Sequence, residues 1–257
     1  MNLIKIKDDL YVPENFETNH KYFADAEGTK PYTGITTILN VIAKPNLIQW
    51  AANEAVRYIK DTLPKGQDYS LVEETIYINQ KSLENILEEA RLAHARKKEK
   101  AGTHGTDAHA LVEEYINLML RGADIGVNEP RFAPIQKFID WATVNVDQFL
   151  FSERRLSNKD LFIAGTADFA YVKDGKRYMA DFKTSSGVYD ISYWLQCAAY
   201  RFIAESEGDA KYDGCTIVRL GKDGSFEVMH RYDYETDLSA FMACLTLYRA
   251  QSTFKKP

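Results

Sequence analysis

The stretch Gly165-Thr166-Ala167-Asp168-Phe169-Ala170-Tyr171-Val172-Lys173-Asp174-Gly175-Lys176-Arg177-Tyr178-Met179-Ala180-Asp181-Phe182-Lys183-Thr184 reads as one β-hairpin around which the chain is arranged. Two apolar, aromatic-rich runs flank Asp174-Gly175, a dipeptide suited to a two-residue type I′ turn because both central positions need φ > 0. If those two residues are the whole loop, Lys173 pairs with Lys176, Val172 with Arg177, and counting back sets Asp168 opposite Asp181. Strand side chains alternate with period two. Lys183 therefore shares a face with Asp181, while Phe169, Tyr171, Tyr178 and Phe182 take the other.

Like charges directly opposed across an antiparallel pair are destabilising, so two aspartates there need something to offset their repulsion. Hard divalent cations take carboxylate oxygens, waters and substrate phosphates as ligands, which makes the pair a plausible Mg²⁺ seat. The ordinary alternative is a solvated hairpin face with scattered charges. Against it, aspartate is poor strand material, and two of them opposed in mid-strand are the kind of local conflict found at functional sites.

The chain has 257 residues and a formal net charge of −5, enough length for a real core and too little positive charge to coat nucleic acid by bulk potential. A local basic stripe is still compatible with that balance. Charges in the first ten residues and the lack of any long apolar run imply neither a secretory signal nor a membrane span, hence a cytoplasmic protein. Cys197, Cys215 and Cys244 are widely spaced and form no CxxC pair, which points away from a disulfide framework and from a zinc or iron–sulfur site.

In order, the chain begins with a strand-like run from Leu3 to Val12 and a hairpin candidate formed by Lys21-Tyr22-Phe23 and Pro31-Tyr32. A short helix capped by Thr36 or Thr37 and ended by Pro45 should follow, then an amphipathic helix from Leu47 to Thr62 bearing Trp50 and Tyr58. Residues 71–100 read as helix-rich and end in the basic run Arg91, Arg96, Lys97, Lys98 and Lys100. A solvated helix surface explains such a run as readily as contact with a phosphate backbone. Gly102 to His109 then opens a helix, with Thr106 or Asp107 as cap, His109 in its first turn and Glu113 one turn on. A lone histidine there is ordinarily structural, and HxxxE is not the HExxH of zincins. Further helices are expected at Phe132–Phe149, Asp190–Glu205 and Glu235–Phe254, and further strands at about 149–156, 213–220 and 225–232.

Taken together, Gly105-Thr106-x-x-His109, Gly165-Thr166-Ala167-Asp168, Asp181-Phe182-Lys183-Thr184 and Gln196-x-x-x-Tyr200 resemble, in order and spacing, the PD-(D/E)XK nuclease superfamily. Within it the chain is most similar to the RecB-type exonucleases, which include the mitochondrial genome maintenance exonuclease and phage recombination exonucleases. The resemblance implies an α/β fold with a restriction-endonuclease-like core, a central mixed β-sheet flanked by helices, and a helical N-terminal extension. Residues 1–100 would be that flank and 101–257 the nuclease core. It further implies that His109, Asp168 and Asp181 hold a catalytic Mg²⁺ or Mn²⁺ with the main-chain carbonyl of Phe182, and that Lys183 orients or activates the attacking water. Gln196, Tyr200 and Thr184 would support the site and touch the nucleic acid, while Glu113 and Glu153 lie outside the motifs as supporting candidates. Some relatives carry a cysteine set for an iron–sulfur cluster. The three cysteines here do not reproduce it, so no cluster is expected.

The expected activity is therefore metal-dependent exonucleolytic hydrolysis of DNA, acting on free single-stranded ends in replication, recombination or repair. The competing readings are an endonuclease of the same superfamily and an inactive nucleic-acid-binding relative. The expected partners are DNA and a single-strand-binding or recombination protein, with no membrane, in the cytoplasm of a bacterial or phage-infected cell. Helices between Thr36 and Lys100 arching over the metal face would leave a narrow passage requiring a free end, with Trp50 and Tyr58 available to stack on bases.

Overall fold

Asp174 and Gly175 take φ of 50° and 73° in the computed structural model, so the hairpin closes through the two-residue turn expected for this dipeptide. Residues 2–16, 19–63, 69–72, 75–123, 125, 129–185, 187, 190–221 and 223–254 are described. They form strands β1 (Leu3–Lys7), β2 (Leu10–Pro13), β3 (Thr33–Gly34), β4 (Tyr69–Val72), β5 (Thr75–Ile78), β6 (Gln148–Asn158), β7 (Ile163–Lys173), β8 (Lys176–Lys183), β9 (Gly214–Leu220) and β10 (Phe226–Arg231). The helices are α1 (Ile35–Leu39), α2 (Pro45–Thr62), α3 (Gln80–Leu120), α4 (Gln136–Asn145), α5 (Ser192–Ser206) and α6 (Tyr234–Phe254).

The fold is α/β, built on a six-stranded mixed sheet in the order β10-β9-β8-β7-β3, with β6 also paired to β7. The β7–β8 ladder runs from Lys173↔Lys176 to Phe169↔Ala180, the register counted from the turn. β8 and β9 are parallel, joined by a crossover that contains α5. That topology corrects the expectation of a polar second hairpin face, because a parallel crossover lays a helix against the sheet. Phe169, Tyr171, Tyr178 and Phe182 pack on one side with Tyr115 and Phe138. On the other, Ala170 and Met179 pack with Ile35, Leu195, Ile203 and Phe241 from α1, α5 and α6.

The chain divides into two compact units, residues 1–42 with 107–257, and residues 43–106. The division differs from a cut at residue 100 because the N-terminal segment belongs to the sheet: Thr33 and Gly34 pair in parallel with Ile163 and Ala164. Several boundaries also differ from expectation. Pro45 opens α2 rather than closing the helix before it, which suits a residue lacking the amide hydrogen that a first turn does not need. The run at Leu3–Val12 is a hairpin turned at Asp9, whose φ is 64°. β4 and β5 stand where helix was expected, and α3 is already under way at Gln80, so no new helix begins at residues 102–109 and no cap is called for at Thr106 or Asp107. The helix expected over Phe132–Phe149 is shortened to α4, with a 3₁₀ segment at Pro130–Ile135 before it and extended backbone at Val146 after it. No described helix is long and apolar enough to cross a membrane.

Candidate metal centre

On the β8 side of β7, β8 lies alongside Phe169–Lys173 and β3 alongside Ile163–Ala164, leaving Gly165 to Asp168 between two partners. The last expected pair, Asp168 with Asp181, is not a ladder pair: the Phe182 N–H donates to Asp168 Oδ2 at 2.7 Å. Backbone groups freed where strands part need other acceptors, and here a carboxylate serves. The opening carries a cavity of about 590 Å³ whose lining includes His109, Glu113, Glu153, Asp168, Gln196 and Tyr200.

Glu153 reaches this cavity from β6. Ser152 pairs with Phe169 and Arg154 with Ala167, so Glu153 stands across from Asp168, with φ at 46°. A left-handed glutamate within a strand costs about 1–3 kcal/mol and is characteristic of functional positions. His109 comes from α3 with its ring edge-on to Phe182, centroids 4.9 Å apart. One ligand atom each from His109, Glu153 and Asp168 lie within 4.8 Å of one another. Oxygen ligands stand about 2.0–2.6 Å from a hard divalent ion, so atoms up to about 5 Å apart can share one. The donor set fits such a cation.

Asp181 sits further in, 1% exposed. Lys183 Nζ makes an ion pair with it, yet among the described residues neither Asp181 oxygen has a well-formed hydrogen bond. Burial pushes the Asp181 carboxyl up to about 6, with Lys183 pulling down and Asp168 pushing up. Burial also raises Asp168, against the pull of Lys183 and the Phe182 N–H. The His109 imidazole is lowered by burial, with Asp181 acting the other way. Lys183 is drawn down by burial but held above its ordinary value by Asp181 and Asp168 together. The ammonium therefore stays charged. Its other contacts are the Tyr193 ring, 4.9 Å from Nζ, and Gln196 Oε1, 3.4 Å away.

Gln196 Nε2 in turn donates to the Tyr200 hydroxyl at 3.2 Å, as expected for residues one helical turn apart. Tyr200 lies so close over Gly165 that a Cβ there would come within 2.7 Å of its ring. The structure thus brings together His109, Asp168, Asp181, Phe182, Lys183, Gln196 and Tyr200, and Thr184 directly follows β8. The motifs leave Glu153 aside as a supporting candidate, whereas the structure sets it beside His109 and Asp168. Its position depends on the β6–β7 register, which no two-residue turn fixes across Lys159 to Phe162. In the other unit, Arg91 pairs with Glu88, Arg96 with Glu89 and Lys97 with Glu54. The side chains of Lys98 and Lys100 lie outside the described residues.

No family model and no curated protein matches the chain. Among solved structures, the crystal structure of SSO0001 aligns over 76% of this chain and 85% of that one at 13% identity, with a TM-score of 0.33. A likeness of that degree carries no functional argument.

Proposed function

We propose that the chain is a metal-dependent DNA exonuclease of the RecB-type PD-(D/E)XK kind. The observation that carries this reading is the convergence of His109, Glu153 and Asp168 within 4.8 Å on a cavity, beside a lysine paired with a buried aspartate. A divalent ion such as Mg²⁺ or Mn²⁺ supplies phosphate charge neutralisation and a water of lowered pKa. His109, Glu153 and Asp168 are the groups that would hold it, and the Asp181 carboxylate, whose Oδ2 pairs with Lys183, is the next ligand group inward.

Lys183 keeps its proton next to Asp181 and Asp168, so it acts as a fixed cation that orients a water or a phosphate oxygen rather than as a base. Gln196 holds Lys183 from the far side and is itself oriented by Tyr200. Excluding water around these charges strengthens their interactions.

The test is a paired measurement on Asp168→Asn and Lys183→Ala. Wild-type protein should melt at a higher temperature as Mn²⁺ is titrated, since a ligand that binds only the folded state stabilises it, and should cleave DNA. Asp168→Asn should lose both responses, whereas Lys183→Ala should lose cleavage and keep the melting shift. Cleavage by either variant at the wild-type rate contradicts the assigned site.

A further inference from the structure

The same cavity has a second wall that this chemistry does not use. Phe16, His20, Tyr22 and Arg155 line it together with the metal-centre residues. Arg155 lies on β6 two residues beyond Glu153, and both line the cavity. Its guanidinium lies over the Phe16 ring, 4.6 Å from the centroid, and its buried Nε has no hydrogen-bond partner among the described residues. Phe16 is braced on two sides. Tyr22 and His20 each meet it edge-on at 5.2 Å, and the Tyr22 hydroxyl is tied at 2.9 Å to Thr166 Oγ1, on the residue paired with Arg155.

A flat cation fixed on an aromatic platform at the wall of a cavity is suited to receive an anion. Nε itself is shut off from solvent, so an anion would meet the charge of Arg155 from the cavity that the residue lines. His20, exposed on the platform's edge, adds a ring N–H donor. We propose that Arg155 and His20, positioned by Phe16 and Tyr22, form a phosphate subsite. It takes the backbone phosphate next to the one held at His109, Glu153 and Asp168. Because Glu153 and Arg155 stand two residues apart on β6 and line one cavity, the substrate class is a single strand gripped at two neighbouring phosphates. This inference rests on the nuclease reading.

The test is equilibrium binding of a fluorescent oligothymidylate to the full chain in chelator, followed over a series of salt concentrations, with cleavage measured separately in Mg²⁺. Arg155→Gln should bind about 10-fold more weakly. Its slope of log affinity against log salt should be shallower by about 0.7, the loss expected for one contact to a single-strand phosphate. Arg155→Lys should keep the slope and recover only part of the affinity. A purely structural role for Arg155 would change the melting temperature and leave the slope alone. If Arg155→Gln does not fold, His20→Ala, at an exposed position, should bind about 3-fold more weakly, and unchanged binding then overturns the subsite. Unaltered affinity and slope in a folded Arg155→Gln overturn it while wild-type cleavage stands. A wild-type chain that neither binds nor cleaves overturns the nuclease reading as well.

Discussion

Asp181 concentrates the electrostatic tension of the site. It is buried and paired with Lys183, and its carboxyl is still held up to about 6. An aspartate whose folded pKa lies above its unfolded value binds its proton more tightly in the folded state, so stability is lost as pH rises from about 4 through about 6. Asp181→Asn removes that dependence. In chelator, the variant should gain on wild type by on the order of 1–3 kcal/mol at pH 8 and show little advantage near pH 4, measured by denaturant unfolding at both pH values. A variant that loses stability at pH 8 would mean that the Lys183 pair outweighs the burial of the carboxylate. If the proposed cation binds beside it, the gain should disappear when the cation is added, because a neighbouring divalent charge favours the ionised carboxylate.

The hairpin β7–β8 is legible because Asp174-Gly175 specifies both its turn and its register as far as Phe169↔Ala180, which sets Asp168 and Asp181 near each other although they do not form a ladder pair. What was not legible depended on packing between segments distant in sequence. Glu153 carries no local signal of its place beside His109 and Asp168, since that placement needs β6 aligned on β7 and a left-handed backbone that a glutamate does not prefer. The break expected around Gly102 and Gly105 did not occur either, since α3 runs through both glycines; propensity is a weak prior that tertiary context overrides. Gly165 is the position where a strand residue most constrains a helix. The Cβ of Gly165→Ala would meet the Tyr200 ring at 2.7 Å and its hydroxyl oxygen at 3.1 Å, so Tyr200 must move off Gln196. We expect a cost of about 1–3 kcal/mol from overpacking, read by thermal melting, together with reduced cleavage. Tyr200→Phe introduced beside Gly165→Ala should restore little of the stability, because the clash is with the ring.

The basic run belongs to the unit of residues 43–106, where Arg91, Arg96 and Lys97 already face Glu88, Glu89 and Glu54. The Arg91–Glu88 and Arg96–Glu89 pairs are exposed and worth little, so those two cations can exchange a carboxylate for a phosphate at small cost, whereas Lys97 is held against the buried Glu54. Replacing Arg96, Lys97 and Lys98 together by alanine should flatten the salt dependence of DNA binding, measured as the slope of log affinity against log salt; an unchanged slope would return the run to a solvated helix surface. Glu54, 7% exposed, loses its lysine in that variant, so melting must be followed in parallel. The direct test of the nuclease assignment is incubation of the full chain with end-labelled linear and closed circular single-stranded DNA, each with Mg²⁺ and with chelator. The linear strand should be degraded in Mg²⁺ and not in chelator, and the circle should survive. Rapid cutting of the circle would replace the exonuclease by an endonuclease, and a linear strand left intact in Mg²⁺ would contradict the nuclease assignment itself.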